Sequence, residues 1–571
     1  MTGPRNLALA CMLVVLSAAF CTANDVYFAQ SATGGGTGTS CATAESVATF
    51  NNSGQVAGNT YHLCGTVTTA LTPTSSGTSS SPITLLFDAA SGGNISMPAL
   101  PSTGGINLAG LSYWTIDGGT ACGRGTSCAA NLSGTGIIQG LCNASPGTVI
   151  SGCSAITQSA SAGINLGSGG SNIEIRNLLI LNMYQRTSTS DDNENGGEWN
   201  SYGIVNSTPG SGSNILIHDL TVSYAHALIQ LSPTIGANNW QLYNTLLQNA
   251  AWMTFFATFD PSEFGAGAAT NLDIYNNEVI IGSAWGSWPQ SSNFHVDGIF
   301  VVGDCPGGAS SCAQSSASYF DGVYIYNNYI HGNWGTVSGN TLCGTGFIYE
   351  NQNLENVYIF NNIFSITNGG YACNGLIATG YGNTSQYMFN NTFIGTSTAS
   401  GGAWAMGDAG TNAANSTTAE NNVVSTMVAG WLYQDDTGAA IALIDYNDWY
   451  NLSGNGQASA WQVASLAPTT FTAWKLCTGC VASGSPDVHG TSGNPLLTSD
   501  FHLTNSSSAA WQAGANLYST CNGKPNPGIG ALCFDAAGVA RPATGSWDMG
   551  AYEDSASNAP APPTGLSAVV Q

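Results

Sequence analysis

One short phrase returns through the middle of this 571-residue chain, and it constrains the fold more than any other feature. It reads Asn172-Ile-Glu-Ile-Arg-Asn177, Asn214-Ile-Leu-Ile-His-Asp219 and Asn239-Trp-Gln-Leu-Tyr-Asn244. It continues as Asn271-Leu-Asp-Ile-Tyr-Asn276, Gly322-Val-Tyr-Ile-Tyr-Asn327 and Asn356-Val-Tyr-Ile-Phe-Asn361, with weaker copies ending at Asn390, Asn421 and Asn447. Each copy alternates as a half-buried strand does and closes on Asn or Asp. Such repetition marks a solenoid. From Asp219 to Asn244 is 25 residues, and from Asn421 to Asn447 is 26. That length holds two or three short strands with their turns and has no room for a helix. The longer intervals, 42 from Asn177 to Asp219 and 51 from Asn276 to Asn327, place their excess in loops.

The recurring Asn tolerates left-handed turns, and stacked amides can bond from coil to coil. Asn177, Asn244, Asn276, Asn327 and Asn361 are therefore expected to form an internal ladder. A second strand begins in each coil at a small residue, as in Gly203-Ile-Val-Asn206, Ala227-Leu-Ile-Gln230, Thr254-Phe-Phe-Ala257 and Gly298-Ile-Phe-Val301. Gly346-Phe-Ile-Tyr349, Gly375-Leu-Ile-Ala378 and Gly430-Trp-Leu-Tyr433 continue the series. A variable loop before this strand is expected in every coil, always on one edge.

The repeats and strands resemble the right-handed parallel β-helices of the pectate-lyase-like superfamily, over roughly residues 24–450. The resemblance implies an all-β solenoid with long loops on one edge. It implies function only weakly, because the fold hosts lyases, hydrolases, esterases and adhesins. Trp547-Asp-Met-Gly-Ala-Tyr-Glu553 is similar to a closing motif of exported bacterial β-helix proteins. Residues 451–555 are expected to cap the far end. Residues 556–571 read as a Pro-rich linker that resembles the approach to a fibronectin type III module.

Residues 1–23 read as an export signal. Arg5 precedes the apolar run Leu7–Phe20, which is too short to span a bilayer, and small residues follow it. A lipid anchor on Cys21 is the alternative, disfavoured by Phe20. Of 16 cysteines, fourteen follow the signal. Near neighbours suggest the pairs Cys41–Cys64, Cys122–Cys128, Cys142–Cys153, Cys305–Cys312, Cys477–Cys480 and Cys521–Cys533. Cys343 and Cys373 would staple adjacent coils, whose spacing of about 4.8 Å suits a disulfide. Zinc is poorly supported, since Cys477-Thr-Gly-Cys480 has no companion pair.

Seven Lys+Arg stand against 31 Asp+Glu, a net charge of -24. That balance opposes nucleic acid and anionic membranes as partners, and opposes a polyanionic glycan unless metal ions bridge the charges. The expected product is a secreted monomer, extracellular or surface-associated, with no membrane insertion.

Carboxylates, histidines and tryptophans collect on the variable edge. This is the composition of a sugar groove, where indoles pack on pyranose C–H groups and carboxylates do acid/base work. Asp297 is the first catalytic candidate. His226 is a further candidate, read as two coils away at about 9–10 Å, a gap across which a groove sugar could sit, and His295, two residues from Asp297, could tune or orient the acid. Glu198, Asp260, Asp304 and Glu350 are candidate partners. Trp199, Trp252, Trp285, Trp288, Trp334, Tyr371 and Arg186 are candidate substrate contacts. Asp191-Asp-Asn193-Glu-Asn195-Gly196 opens like a calcium loop, with Glu198 as a further oxygen ligand for Ca²⁺. Asp297-Gly298 also reads as a plain turn, and the acidic run as a solvated one.

The leading expectation is a glycoside hydrolase acting on a neutral or weakly charged polysaccharide. A Ca²⁺-dependent lyase of a uronate glycan is the alternative, weakened because only Arg186 brings positive charge to the edge. A non-catalytic adhesin or glycan-binding surface protein is the third reading. Low charge and the Pro-rich end suit it, and long His- and Trp-bearing loops suit it less.

Overall fold

A computed structural model describes residues 24–554, apart from 126–133, 145–148, 155–158, 185–200, 207–209, 260–265, 282–296, 307–311, 333–345, 352, 367–375, 380–384, 396–403, 409–415, 428, 434–440, 453–459 and 464. The chain is a right-handed parallel β-helix. Among the described residues, one sheet has 14 strands and the other 21, and every ladder is parallel. One coil shows the path. Strand Gly267–Tyr275 lies in the first sheet, and Glu278–Ile281 and Asp297–Val302 lie in the second. Strand Ser318–Tyr326 then returns one coil on.

Alternation builds the core. Ile175, Ile217, Leu242, Ile274, Ile325 and Ile359 fill one inward column, one residue per coil. All belong to one apolar cluster that runs the length of the solenoid. Each such side chain contributes about 1.5–3 kcal/mol on burial. Helix Val47–Asn52 closes the first end, capped by Ser46 and stacked through Phe50 on Phe28 at 4.4 Å. Trp474, on helix Phe471–Lys475, fills the other end.

The Asn pattern divides into two jobs that the sequence reading gave to one residue. Asn177, Asn244, Asn276, Asn327 and Asn361 have φ of 60°, 51°, 55°, 55° and 55° and make the left-handed turn. The ladder is made by the residue after it. Asn277, Asn328, Asn362, Asn391, Asn422 and Asn447 are each 0–1% exposed, and each side-chain amide donates to the next at 2.9–3.0 Å. Asp487 ends the series, accepting from Asn447 Nδ2 at 2.9 Å and from the indoles of Trp449 and Trp474 at 2.8 and 2.7 Å. A second left-handed column, with φ of 57–59° at Asn172, Asn214, Asn239 and Asn271, starts the strands, and Gly322 takes this place at 76°.

These jobs predict opposite outcomes for adjacent residues. Asn328→Ala strands the backbone N–H and amide of Asn277, which both donate to it at 3.0 Å. A loss of roughly 3 kcal/mol is expected in urea unfolding. Asn276→Gly keeps the required φ and should change stability by less than about 1 kcal/mol.

Two coils depart from the expected loop. Thr221–Leu231 and Leu246–Thr258 run unbroken from one limb of the second sheet to the other. Bends at Tyr224 (φ 62°) and Asn249 (φ 60°) replace the loop. Between them the register slips: Ala225 pairs with Ala250, but Ala227 pairs with Met253. His226 is therefore opposite Ala251 and Trp252. The neighbouring coils do carry long connections, from Leu181 to Ser201 and from Ile281 to Asp297.

Disulfides join Cys41–Cys64, Cys142–Cys153, Cys305–Cys312, Cys477–Cys480 and Cys521–Cys533, as near-neighbour spacing suggests. Cys122 is also disulfide-bonded. Cys128, Cys343 and Cys373 lie outside the described residues. The C-terminal segment runs back along the outside of the first sheet, covering the stacked rings of Tyr326 and Phe360, with Phe389 in the same cluster. Its Arg541 is 0% exposed in its side chain, pairs with Glu553 at 2.9 Å and bonds Asn361 at 3.0 Å. The Trp547–Glu553 motif thus fastens the chain end to the turns of the solenoid.

Candidate functional site

The second strand of each coil ends up in one column of the second sheet. Ile204, Ile229, Phe255, Ile299 and Ile348 point inward along it and are buried in the core. The next residue in each strand points outward. In this phase the register aligns Gln230, Phe256, Phe300 and Tyr349. An outward column would ordinarily be polar, yet three of these four are aromatic. Phe256 meets Phe300 edge-on at 6.3 Å, and Phe300 meets Tyr349 at 4.6 Å. Trp252 joins the band edge-on to Phe256 at 5.8 Å and stacks on His226 at 5.1 Å. Tyr202, Met253 and Val302 complete the same cluster. Trp252, Phe256 and Tyr349 are half-buried. From Tyr202 to Tyr349 the band crosses five coils, or four steps of about 4.8 Å.

Asp297 stands at the loop end of this band. It is in register with Met253, which in turn aligns with Ala227, and both are band residues. It is 0% exposed, and Thr254 Oγ1 donates to its carbonyl at 2.9 Å. The following glycine is forced by packing. A Cβ on Gly298 would lie 2.1 Å from the Phe347 carbonyl of the next coil. Asp297-Gly298 is therefore the start of a strand against a close neighbour, and the turn reading of His295–Gly298 lies partly outside the described residues.

His226 is 1% exposed and lies two coils from Asp297, one position before Ala227, the residue that Asp297 aligns with through Met253. Its ring lies on Trp252, so these two candidates are brought together.

Two candidates are carried elsewhere. Asp304 follows the far end of the same strand, seven residues from Asp297. Extended chain of that length spans roughly 20 Å. Its carboxylate accepts from the Cys305 N–H at 2.9 Å, while its backbone pairs with Ser318. It is a bridge residue tying the end of this strand to Ser318. Glu350 aligns with Val301 and Ala257, which line the core, and is 0% exposed. Burial pushes its carboxyl up to about 8, partly opposed by the Gln386 amide. Sequence placed it on the edge, but it sits four positions further along the strand than the edge residues and faces the lumen.

His295, Glu198, Asp260, Trp199, Trp285, Trp288, Trp334, Tyr371, Arg186, Asp191, Asn193 and Asn195 lie outside the described residues. Among the described residues, no three His, Cys, Asp or Glu side chains gather at a metal position. Phe256, Phe300 and Tyr349 were missed as site residues. The signal was present: they are aromatic in the outward phase of strands whose inward phase is already apolar.

No family model matches the chain, and no curated protein matches it. Among solved structures it is similar to a pectate lyase, Pel9A, with 11% identity and a TM-score of 0.35 over 93% of this chain and 96% of that one. No described helix is long and apolar enough to cross a membrane.

Proposed function

We propose that this chain is a secreted glycoside hydrolase acting on a neutral or weakly charged polysaccharide. The observation that carries the reading is the outward aromatic band with Asp297 at its end. Aromatic faces hold sugar rings through their C–H groups, and a carboxyl beside them can protonate or attack the glycosidic centre. Asp297 is the proposed catalytic carboxyl. His226 and His295 orient or tune it. Glu198, on the connection that enters the same strand column, is the proposed second carboxyl, with Asp260 next in order. Trp199, Trp285, Trp288, Trp334 and Tyr371 extend the aromatic contacts. A Ca²⁺ ion held by Asp191, Asn193, Asn195 and Glu198 would order the first of these connections, and Asp260 would then serve as the second carboxyl.

Basic side chains among the described residues support a hydrolase over a lyase, because Arg124, Arg176, Lys475 and Arg541 are engaged away from the band and Lys524 is an exposed residue of the C-terminal segment. Arg124 bonds the Asn327 carbonyl at 2.7 Å, and Arg176 pairs with Asp117 and Glu174 at 2.9 Å. Arg541 is held by Glu553, and Lys475 by the Gly490 carbonyl at 3.3 Å. A lyase needs positive charge on the uronate carboxylate, which Arg186 and Ca²⁺ would have to supply.

The test is incubation with a panel of neutral and uronate polysaccharides, with Ca²⁺ and with EDTA. New reducing ends without absorbance from unsaturated products support the hydrolase. Ca²⁺-dependent absorbance would make the protein a lyase. Binding without cleavage across the panel would make it an adhesin. In the hydrolase case Phe300→Ala should raise KM about tenfold with a smaller change in kcat, since it removes ground-state and transition-state contact alike.

A further inference from the structure

The opposite face of the solenoid carries a second ordered row. On the outward side of the first sheet, Gln241, Asp273, Tyr324, Tyr358 and Tyr387 align one per coil. Tyr324 stacks on Tyr358 at 5.4 Å and 9°, and Tyr358 on Tyr387 at 4.6 Å and 9°. Rings stacked this way along the axis turn their edges to solvent, so their hydroxyls repeat once per coil. All three tyrosines are half-buried. The neighbouring row of Tyr326, Phe360 and Phe389 is already covered by the C-terminal segment, which borders the tyrosine row on one side.

Asp273 stands within the row. It is 3% exposed, and among the described residues its Oδ1 has no hydrogen-bond partner. Beside it, Tyr275 Oη donates to Gln241 Oε1 at 3.2 Å. A buried carboxyl oxygen without a partner costs stability, so its retention here calls for a ligand group.

We propose that this row is a second glycan-contact surface, on which an extended, uncharged glycan lies along the solenoid axis and bonds to Asp273 and to the hydroxyls of Tyr324, Tyr358 and Tyr387. Two features select that occupant. The coil repeat of about 4.8 Å is close to the advance of one pyranose in an extended chain, so successive sugars meet equivalent groups. The five positions span four steps, about 19 Å. A net charge of -24 and a row without a cation disfavour anionic chains. The surface shares the glycan class with the proposed hydrolase but not its site, so either can fail alone.

The test uses the full secreted chain carrying Asp297→Asn, so that no turnover occurs. Linear hexasaccharides of β-1,4-linked glucose, xylose and mannose are titrated by calorimetry. The triple variant Tyr324→Phe/Tyr358→Phe/Tyr387→Phe keeps every ring and removes only the hydroxyls, so its Tm should hold. At least a tenfold loss of affinity is expected, with Asp273→Asn showing a smaller loss. The proposal is overturned if the triple variant binds within twofold of its parent. It is also overturned if the parent binds none of the three, or if Phe300→Ala alone removes all binding.

Discussion

Asp297→Asn should lower turnover by about a thousandfold, the central range for loss of an acid/base or nucleophilic group. Substrate affinity should change little, and so should Tm, because the amide has the size of the carboxyl it replaces. The matched control is Glu350→Gln. Glu350 lies one coil away, but its strand neighbours Val301 and Ala257 place it in the lumen. Activity near that of the parent is expected there. Reducing-end assays at fixed pH on the best polysaccharide of the panel measure both. Retention of more than a tenth of the activity in Asp297→Asn would remove it from the chemistry. Loss in Glu350→Gln with an intact Tm would mean that the lumen reaches the substrate.

The fold was legible because it is written as period and phase. The Asn phrase fixed the coil, and alternation assigned the inward residues. Register within a coil was harder. Asn276 and Asn277 are both polar, and nothing in their identity tells which turns and which is buried. The answer comes from geometry: the first has φ of 55°, and the second reaches the amide one coil on. The slip between Ala225–Ala250 and Ala227–Met253 was equally hidden, because one extra residue in an unbroken strand has no signature in composition. The site was partly legible. Trp252, His226 and Asp297 were found as types that do sugar chemistry. Phe256, Phe300 and Tyr349 read from sequence only as parts of strands, and their outward phase comes from the register. Glu350 is a charged residue in the inward phase, which its identity alone does not reveal.

That inward carboxyl and its fellows set the pH at which the solenoid is most stable. Burial raises Glu350 from 4.5 to about 8, Asp273 from 3.8 to about 7 and Asp487 from 3.8 to about 6. Glu420 rises from 4.5 to about 7, by burial first and the Asp445 charge second. The unfolded chain releases these protons near its ordinary carboxyl range, whereas the native chain keeps them to pH 6–8. Between those limits the unfolded state binds fewer protons, so stability falls as pH rises. His218 and His502 act in the same direction. Carboxylate bonds raise both against the opposing effect of burial, and that stabilisation is lost as pH climbs through their folded values. The acid limit comes from groups moved the other way. Glu174 is lowered by its bond from His218, and Glu278 by its bond from His331, so their contributions vanish below the ordinary carboxyl range. Urea unfolding should therefore show greatest stability near pH 4 and a fall of several kcal/mol by pH 8, each fully buried group supplying up to about 1.4 kcal/mol per pH unit in its window. Glu350→Gln tests the assignment directly. It removes the titration while keeping the shape, so the variant should match the parent near pH 4 and exceed it at pH 8. An unchanged slope in Glu350→Gln would mean that the lumen admits water or a counter-ion to that carboxylate, and the pH dependence would then belong to the outer face.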